Sequence, residues 1–186
     1  MRYLLTLLFV PLLFIGCAQA DMETNEHSEY DDSPEFDELV AVIHPTEGND
    51  ISGVVRFTRE DDGVRVHAEV HGLDAESLHG FHIHEFGDCT SSDGTSAGGH
   101  FDPHGSEHGA PTDEDRHVGD LGNLPADENG VAEVNYVDEK LSFDGSDSIL
   151  GRGLIVHAEE DDLVSQPVGD AGARLGCGVI GVAQTD

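Results

Sequence analysis

The run Val64-Arg-Val-His-Ala-Glu-Val70 alternates apolar and polar side chains without interruption. In extended backbone successive side chains point to opposite faces. Val64, Val66, Ala68 and Val70 therefore share one face, and Arg65, His67, Glu69 and His71 share the other, as solvent-facing strand residues. The preceding run, Ile51 to Thr58, is joined to it through Glu60-Asp-Asp-Gly63, a hairpin signal with glycine closing the turn. Leu39 to Ile43, Gly80 to Phe86, Val131 to Val137, Leu150 to His157 and Cys177 to Ala183 are further short β-rich runs. No stretch of the domain holds helical periodicity over ten residues. The pattern predicts an all-β domain over residues 39–186: seven or eight short strands in an antiparallel sandwich or barrel, with two long loops near 88–116 and 158–174.

The stretch around the first of those loops carries unusual chemistry. Gly80 to Asn123 holds six of the twelve histidines, and six acidic residues fall between His100 and Asp120. Histidine is a poor core residue, so this density points to metal ligands. His82 and His84 alternate with Phe81 and Ile83, so in a strand they project from one face and can reach a common ion. Taken alone, such a pair is equally a pair of exposed strand histidines. His100, His108, His117 and Asp120 follow at gaps of eight, nine and three. Three imidazoles and one carboxylate make the closed tetrahedral set that structural zinc prefers. His157 ends a later strand and could join His82 and His84; three or more imidazoles with an open position suit copper. Spacing alone leaves open whether the two sites adjoin.

A length of 186 residues fits one domain with a substantial core. Lys and Arg number 8 against 39 Asp and Glu, a formal charge of −31. That excludes a nucleic-acid binder, which needs a basic face. Lys140 is the one lysine. An acidic, lysine-poor chain fits a very salty environment, where self-repulsion is screened; an acidic secreted protein from an ordinary habitat is the alternative. Met1-Arg2 followed by the apolar run Leu4–Ile15 reads as a targeting segment too short to span a membrane. Its end, Phe14-Ile-Gly-Cys17, resembles the lipobox of bacterial lipoproteins, making residues 1–17 a signal peptide ending in a lipidated Cys17. Plain secretion, with cleavage near Ala18-Gln-Ala20, is the other reading. Residues 18–38 hold nine acids and no Lys or Arg, a disordered acidic tether in which His27 has no assigned role.

GFHIHEFGD, AGGHFDP, RHVGDLGN, GRGLIVHAEEDD and GARLGCGVIG stand in the order and at the spacing of the signatures of copper/zinc superoxide dismutases. The chain resembles that family, and in particular its bacterial, secreted lipoprotein form. The resemblance implies an eight-stranded antiparallel Greek-key β-barrel or sandwich. It implies one copper on His82, His84, His100 and His157, and one zinc on His100, His108, His117 and Asp120, with His100 bridging. Asp161 then matches a carboxylate that hydrogen-bonds one ligand of each metal, and Arg174 an arginine that attracts and orients the anion. Cys89 and Cys177 match a disulfide tying the metal loop to the strand that bears Arg174. His104 matches no ligand and is read as solvated. The implied activity is dismutation of superoxide to oxygen and hydrogen peroxide by redox-cycling copper beside a structural zinc, with Arg174 and His100 as its catalytic residues. The setting implied is extracytoplasmic, in the periplasm or at the cell surface. There the protein touches membrane only through its lipid, forms a possible homodimer and protects the cell envelope. The rival is a metal-buffering lipoprotein of the same fold.

Overall fold

The computed structural model describes residues 36–184. The targeting segment with Cys17, and the acidic segment up to residue 35, lie outside the described residues. The strands are β1 (Glu38–Pro45), β2 (Ser52–Glu60), β3 (Gly63–His71), β4 (Leu78–His84), β5 (Asp120–Pro125), β6 (Val131–Asp138), β7 (Gly153–His157) and β8 (Arg174–Val179), followed by the two-residue β9 (Gly181–Val182). All pairings between them are antiparallel. The spatial order is β5-β4-β7-β8-β1-β2-β3-β6, with β9 beside β1. The chain crosses between the two halves of this order at β3–β4, β5–β6 and β6–β7, which is a Greek-key path. The two ends nearly meet, where the Tyr136 hydroxyl on β6 donates to the Leu121 carbonyl on β5 at 3.3 Å.

The β2–β3 hairpin forms as its sequence predicts, with Glu60 paired to Gly63 around Asp61-Asp62. Val64, Val66, Ala68 and Val70 are buried, whereas His71 is exposed and His67 half-buried. Alternation on β1 and β2 adds Leu39, Ala41, Ile43, Val55 and Phe57 to the same core. β4 is buried on both sides after Leu78. Its Phe81 and Ile83 enter the core, and the alternate His82 and His84 are covered by the long loops.

Several boundaries differ from the sequence reading. Asp120–Pro125 is a strand, paired with β4, although it is not among the β-rich runs of the sequence. Leu150–His157 becomes a strand only from Gly153, because Arg152 N–H turns back to the Ile149 carbonyl at 3.1 Å. The last run divides at Ile180, whose N–H donates to Arg152 O and whose carbonyl accepts from Gly151 N–H. β8 in turn begins upstream of Cys177, at Arg174. Upstream, Phe36 stacks on Phe143 with ring centroids 5.9 Å apart.

Candidate metal centre

β4 delivers His82 and His84, and β7, its hydrogen-bonded neighbour, delivers His157. His100 comes from the loop between β4 and β5, which returns to pair His84 with His100 in an isolated bridge. One ring atom from each of His82, His84, His100 and His157 lies within 4.8 Å of the others, and all four residues are buried. The same holds for His100, His108, His117 and Asp120. Sequence spacing left the relation of the two sets open; here they adjoin through His100. His104, between them in sequence, is exposed and pairs with Asp147 at 2.7 Å.

Hydrogen bonds fix which ring nitrogen faces each set. The His84 Nδ1–H donates to Gly98 O at 3.0 Å, and the His157 Nδ1–H donates to Gly172 O at 3.3 Å. This leaves their Nε2 atoms 3.4 Å apart. The His82 Nε2–H donates to Asp161 at 2.7 Å, and the His108 Nε2–H donates to its other oxygen at 2.9 Å. Among the described residues, two buried side-chain nitrogens have no partner, His82 Nδ1 and His100 Nε2. Leaving such atoms bare costs about 1–3 kcal/mol each. Both belong to the first set, as expected of atoms meant for an ion.

In the second set, the Nδ1 atoms of His100, His108 and His117 approach one oxygen of Asp120 at 2.8, 3.0 and 3.1 Å. Tetrahedral zinc bonds of about 2.0–2.1 Å place neighbouring ligands about 3.3 Å apart, so this spacing fits such an ion. The other Asp120 oxygen accepts from the backbone N–H groups of Gly109 and His117. Asp120 is thereby held well below the ordinary carboxylate range: burial opposes this, and the three imidazoles outweigh it.

Burial pushes the imidazoles of the first set down: His100 to about 4, His157 to about 3, and His82 and His84 below their ordinary value. They are neutral at pH 7, the state that ligates. His108 goes the other way, to about 9, because Asp120 and Asp161 together outweigh its burial. The two sets thus differ in kind, one all imidazole and neutral, the other carrying a carboxylate among its imidazoles. That difference separates a copper-type from a zinc-type site.

Arg174 opens β8, and its guanidinium donates to Gly94 O and Gly98 O, each at 2.7 Å. Gly98 O also accepts from His84, so one carbonyl links the arginine to the histidine set. Arg174 lines a 440 Å³ cavity with Thr46, Asp93 and Gly172. Its charge contributes to lowering both His84 and His157. The Cys89–Cys177 disulfide ties the strand that bears it to the loop after β4.

Three supporting residues were given no role from sequence, although Arg116 opens the RHVGDLGN signature. Arg116 is buried, forms a two-pronged ion pair with Asp138 at 2.7 Å, and donates to the carbonyls of His117 and Asp120. Gln166 accepts from His108 N–H at 2.8 Å and donates to His108 O at 2.9 Å. The His79 Nδ1–H donates to His157 O at 2.9 Å. Arg116 next to His117 is the one faint signal, a basic residue in an acidic loop.

Residues 51–180 match the family model described as copper/zinc superoxide dismutase. A crystal structure of the clock protein EA4 is 39% identical, with a TM-score of 0.73, covering 79% of this chain and 95% of that one. The matched stretch contains both ligand sets, the shared imidazole and the arginine at the cavity. The chain belongs to the copper/zinc superoxide dismutase family.

Proposed function

We propose that His82, His84, His100 and His157 hold the copper of this superoxide dismutase, and that His100, His108, His117 and Asp120 hold its zinc. The observation that carries this is His100 itself, a buried imidazole with Nδ1 toward Asp120 and a bare Nε2 toward the other set. Bound copper supplies a one-electron relay by which two superoxide ions and two protons become oxygen and hydrogen peroxide, and zinc supplies fixed charge without redox chemistry. Asp161 orients His82 and His108 together, fixing both tautomers. The Arg174 guanidinium faces the cavity, where it draws in and orients the superoxide anion. His100 Nε2 is the atom that takes up a proton and returns it to reduced substrate, since Nδ1 is committed to the zinc side. The test is metal content and superoxide dismutation of the purified protein beside His100→Ala. One copper and one zinc per chain with activity, and loss of activity in the variant, is the expected result. Both metals bound without activity would favour a metal buffer.

The setting we infer is the cell envelope, with Cys17 lipidated, the acidic segment as tether, and protection from extracytoplasmic superoxide as the role. A disulfide fits an oxidising compartment. Cys17→Ala should move the protein from the membrane to the soluble fraction; an unchanged distribution would remove the anchor. The charge of −31 supports a saline habitat. We also infer a homodimer. Phe86 is 57% exposed, Val179 44% and Leu150 38%. They gather because Gly87 packs against Gly151 and Val179. Sedimentation of the wild type and Phe86→Glu should show a dimer and a monomer; a monomeric wild type ends the idea.

A further inference from the structure

We propose that the outer face of the barrel carries a third metal site, formed by His44, Glu69 and His71, which takes a divalent ion of the zinc or copper class. None of the residues assigned to the two internal sites takes part in it.

Strand register brings the three together. Ile43 of β1 pairs with Gly53 of β2, and Ser52 pairs with His71 of β3. His44 follows Ile43 on β1, where the β1–β2 ladder ends and β1 turns to pair with Cys177 of β8, and it lines one cavity with Ser52 and His71. Glu69 lies two residues before His71 and therefore on the same outward face. A 380 Å³ cavity opens among them, lined by Val42, His44, Ser52, Val54, Glu69 and His71. Ser52 is short, so the two larger imidazoles flank a depression with no bulky side chain between them.

The polar groups are not spent elsewhere. His71 Nε2 and Glu69 Oε1 are 2.8 Å apart, the separation of two ligands on one ion as well as of a hydrogen bond. His44 is exposed and makes no side-chain hydrogen bond among the described residues. Glu69 also pairs directly across from Glu133 of β6. Like charges opposed across a strand pair destabilise it, and a divalent cation removes that repulsion.

The donor set decides the ligand class. Two imidazoles and one carboxylate are a zinc set, with room for water in the fourth position. Imidazole favours zinc and copper(II) over magnesium and calcium, which prefer all-oxygen shells. The same sheet face offers a contrast at its other end. His67 and Glu133 approach to 3.6 Å there, but Arg56 is paired across from His67 and repels a cation. The His44 end has no such neighbour among the cavity residues. The three together do not lie within ligand distance of one another as the two internal sets do, so closing on an ion takes side-chain rotation over the fixed backbones of the sheet.

The test uses the holoenzyme with both internal sites filled, in a large excess of magnesium chloride to occupy diffuse acidic attraction. Calorimetric titration with zinc sulfate should show one additional saturable ion per chain. His44→Ala and His71→Ala should each weaken that step about tenfold or more, and Glu69→Gln should weaken it less. Dismutase activity before addition should be unchanged in all three. Copper(II) sulfate followed by electron paramagnetic resonance should give a new signal that the His44→Ala/His71→Ala double variant lacks. Absence of a saturable extra equivalent overturns the proposal. So does an extra equivalent that survives in the double variant, which would then be cation condensation on the acidic surface.

Discussion

His100 and His108 lie in one ligand set, yet their protonation moves in opposite directions, and the metal-free protein should register both. Burial lowers His100 from 6.5 to about 4. Between those values the unfolded chain binds a proton that the folded one refuses, so stability rises with pH across the window and is lost on acidification. At about 1.4 kcal/mol per pH unit, His100 alone contributes on the order of 3 kcal/mol. His157, lowered to about 3, adds in the same direction. His108 is raised to about 9 by Asp120 and Asp161, so its contribution is full below 6.5 and lost as pH climbs through 9. Urea unfolding of the metal-free protein in 1 M salt, which screens general self-repulsion, should give a midpoint highest near pH 6.5 and lower at pH 4 and pH 9. A midpoint that rises steadily to pH 9 would show that His108 carries no such proton. The residues that gather into the two sets were legible in sequence, because short motifs hold them at fixed offsets. His79 and Gln166 were not, since each acts on the backbone of a distant ligand and needs no motif to do so.

Two loops cover β4 and β7, and the contacts that seat them are open to separate tests. Arg116 ties the β4–β5 loop to β6 through Asp138, both side chains being buried. Arg116→Met should cost about 3–5 kcal/mol in denaturant unfolding, because it strands a buried carboxylate. The double variant Arg116→Met/Asp138→Leu should recover much of that loss; if it recovers none, the carbonyl contacts of Arg116 dominate instead. Gln166 ties the β7–β8 loop to the zinc loop through both backbone groups of His108. Gln166→Met keeps the length and removes both hydrogen bonds, and zinc release to a chelator should quicken about tenfold. Copper content should hold, and an unchanged release rate would show that the clamp does not position His108. These elements also mark what the sequence could reveal. β3 was plain because its alternation is perfect and one face is buried. β5 was hidden: Asp120-Leu-Gly-Asn-Leu-Pro125 carries Gly122, Asn123 and Pro125, turn formers by composition, and becomes a strand only because β4 offers a partner. The Arg116–Asp138 pair was hidden as well, since two charges 22 residues apart read as surface residues until burial is known.

Across the whole molecule, the charge of −31 opposes the approach of an anionic substrate, while the role proposed for Arg174 is to attract it at short range. The two act over different distances. At 1 M salt the screening length is about 3 Å, against about 30 Å at 0.01 M. Salt therefore removes the repulsion summed over the distant acids before it weakens a guanidinium in contact with the anion. The cavity that holds Arg174 is itself lined by Glu47 and Asp93, so part of the repulsion is local. Asp93 is also the acid whose charge acts on Arg174. For the holoenzyme, kcat/KM should hold or rise as salt goes from low millimolar to molar. Asp93→Asn should raise the low-salt value and flatten the profile, with little effect at 1 M, because neutralising one nearby acid matters most where screening is weakest. Folding should follow the same trend, with thermal stability rising in salt as self-repulsion falls. A steep, continuous fall in kcat/KM with salt, at constant metal content and thermal stability, would mean that Arg174 governs approach at long range and that the acidic surface does not.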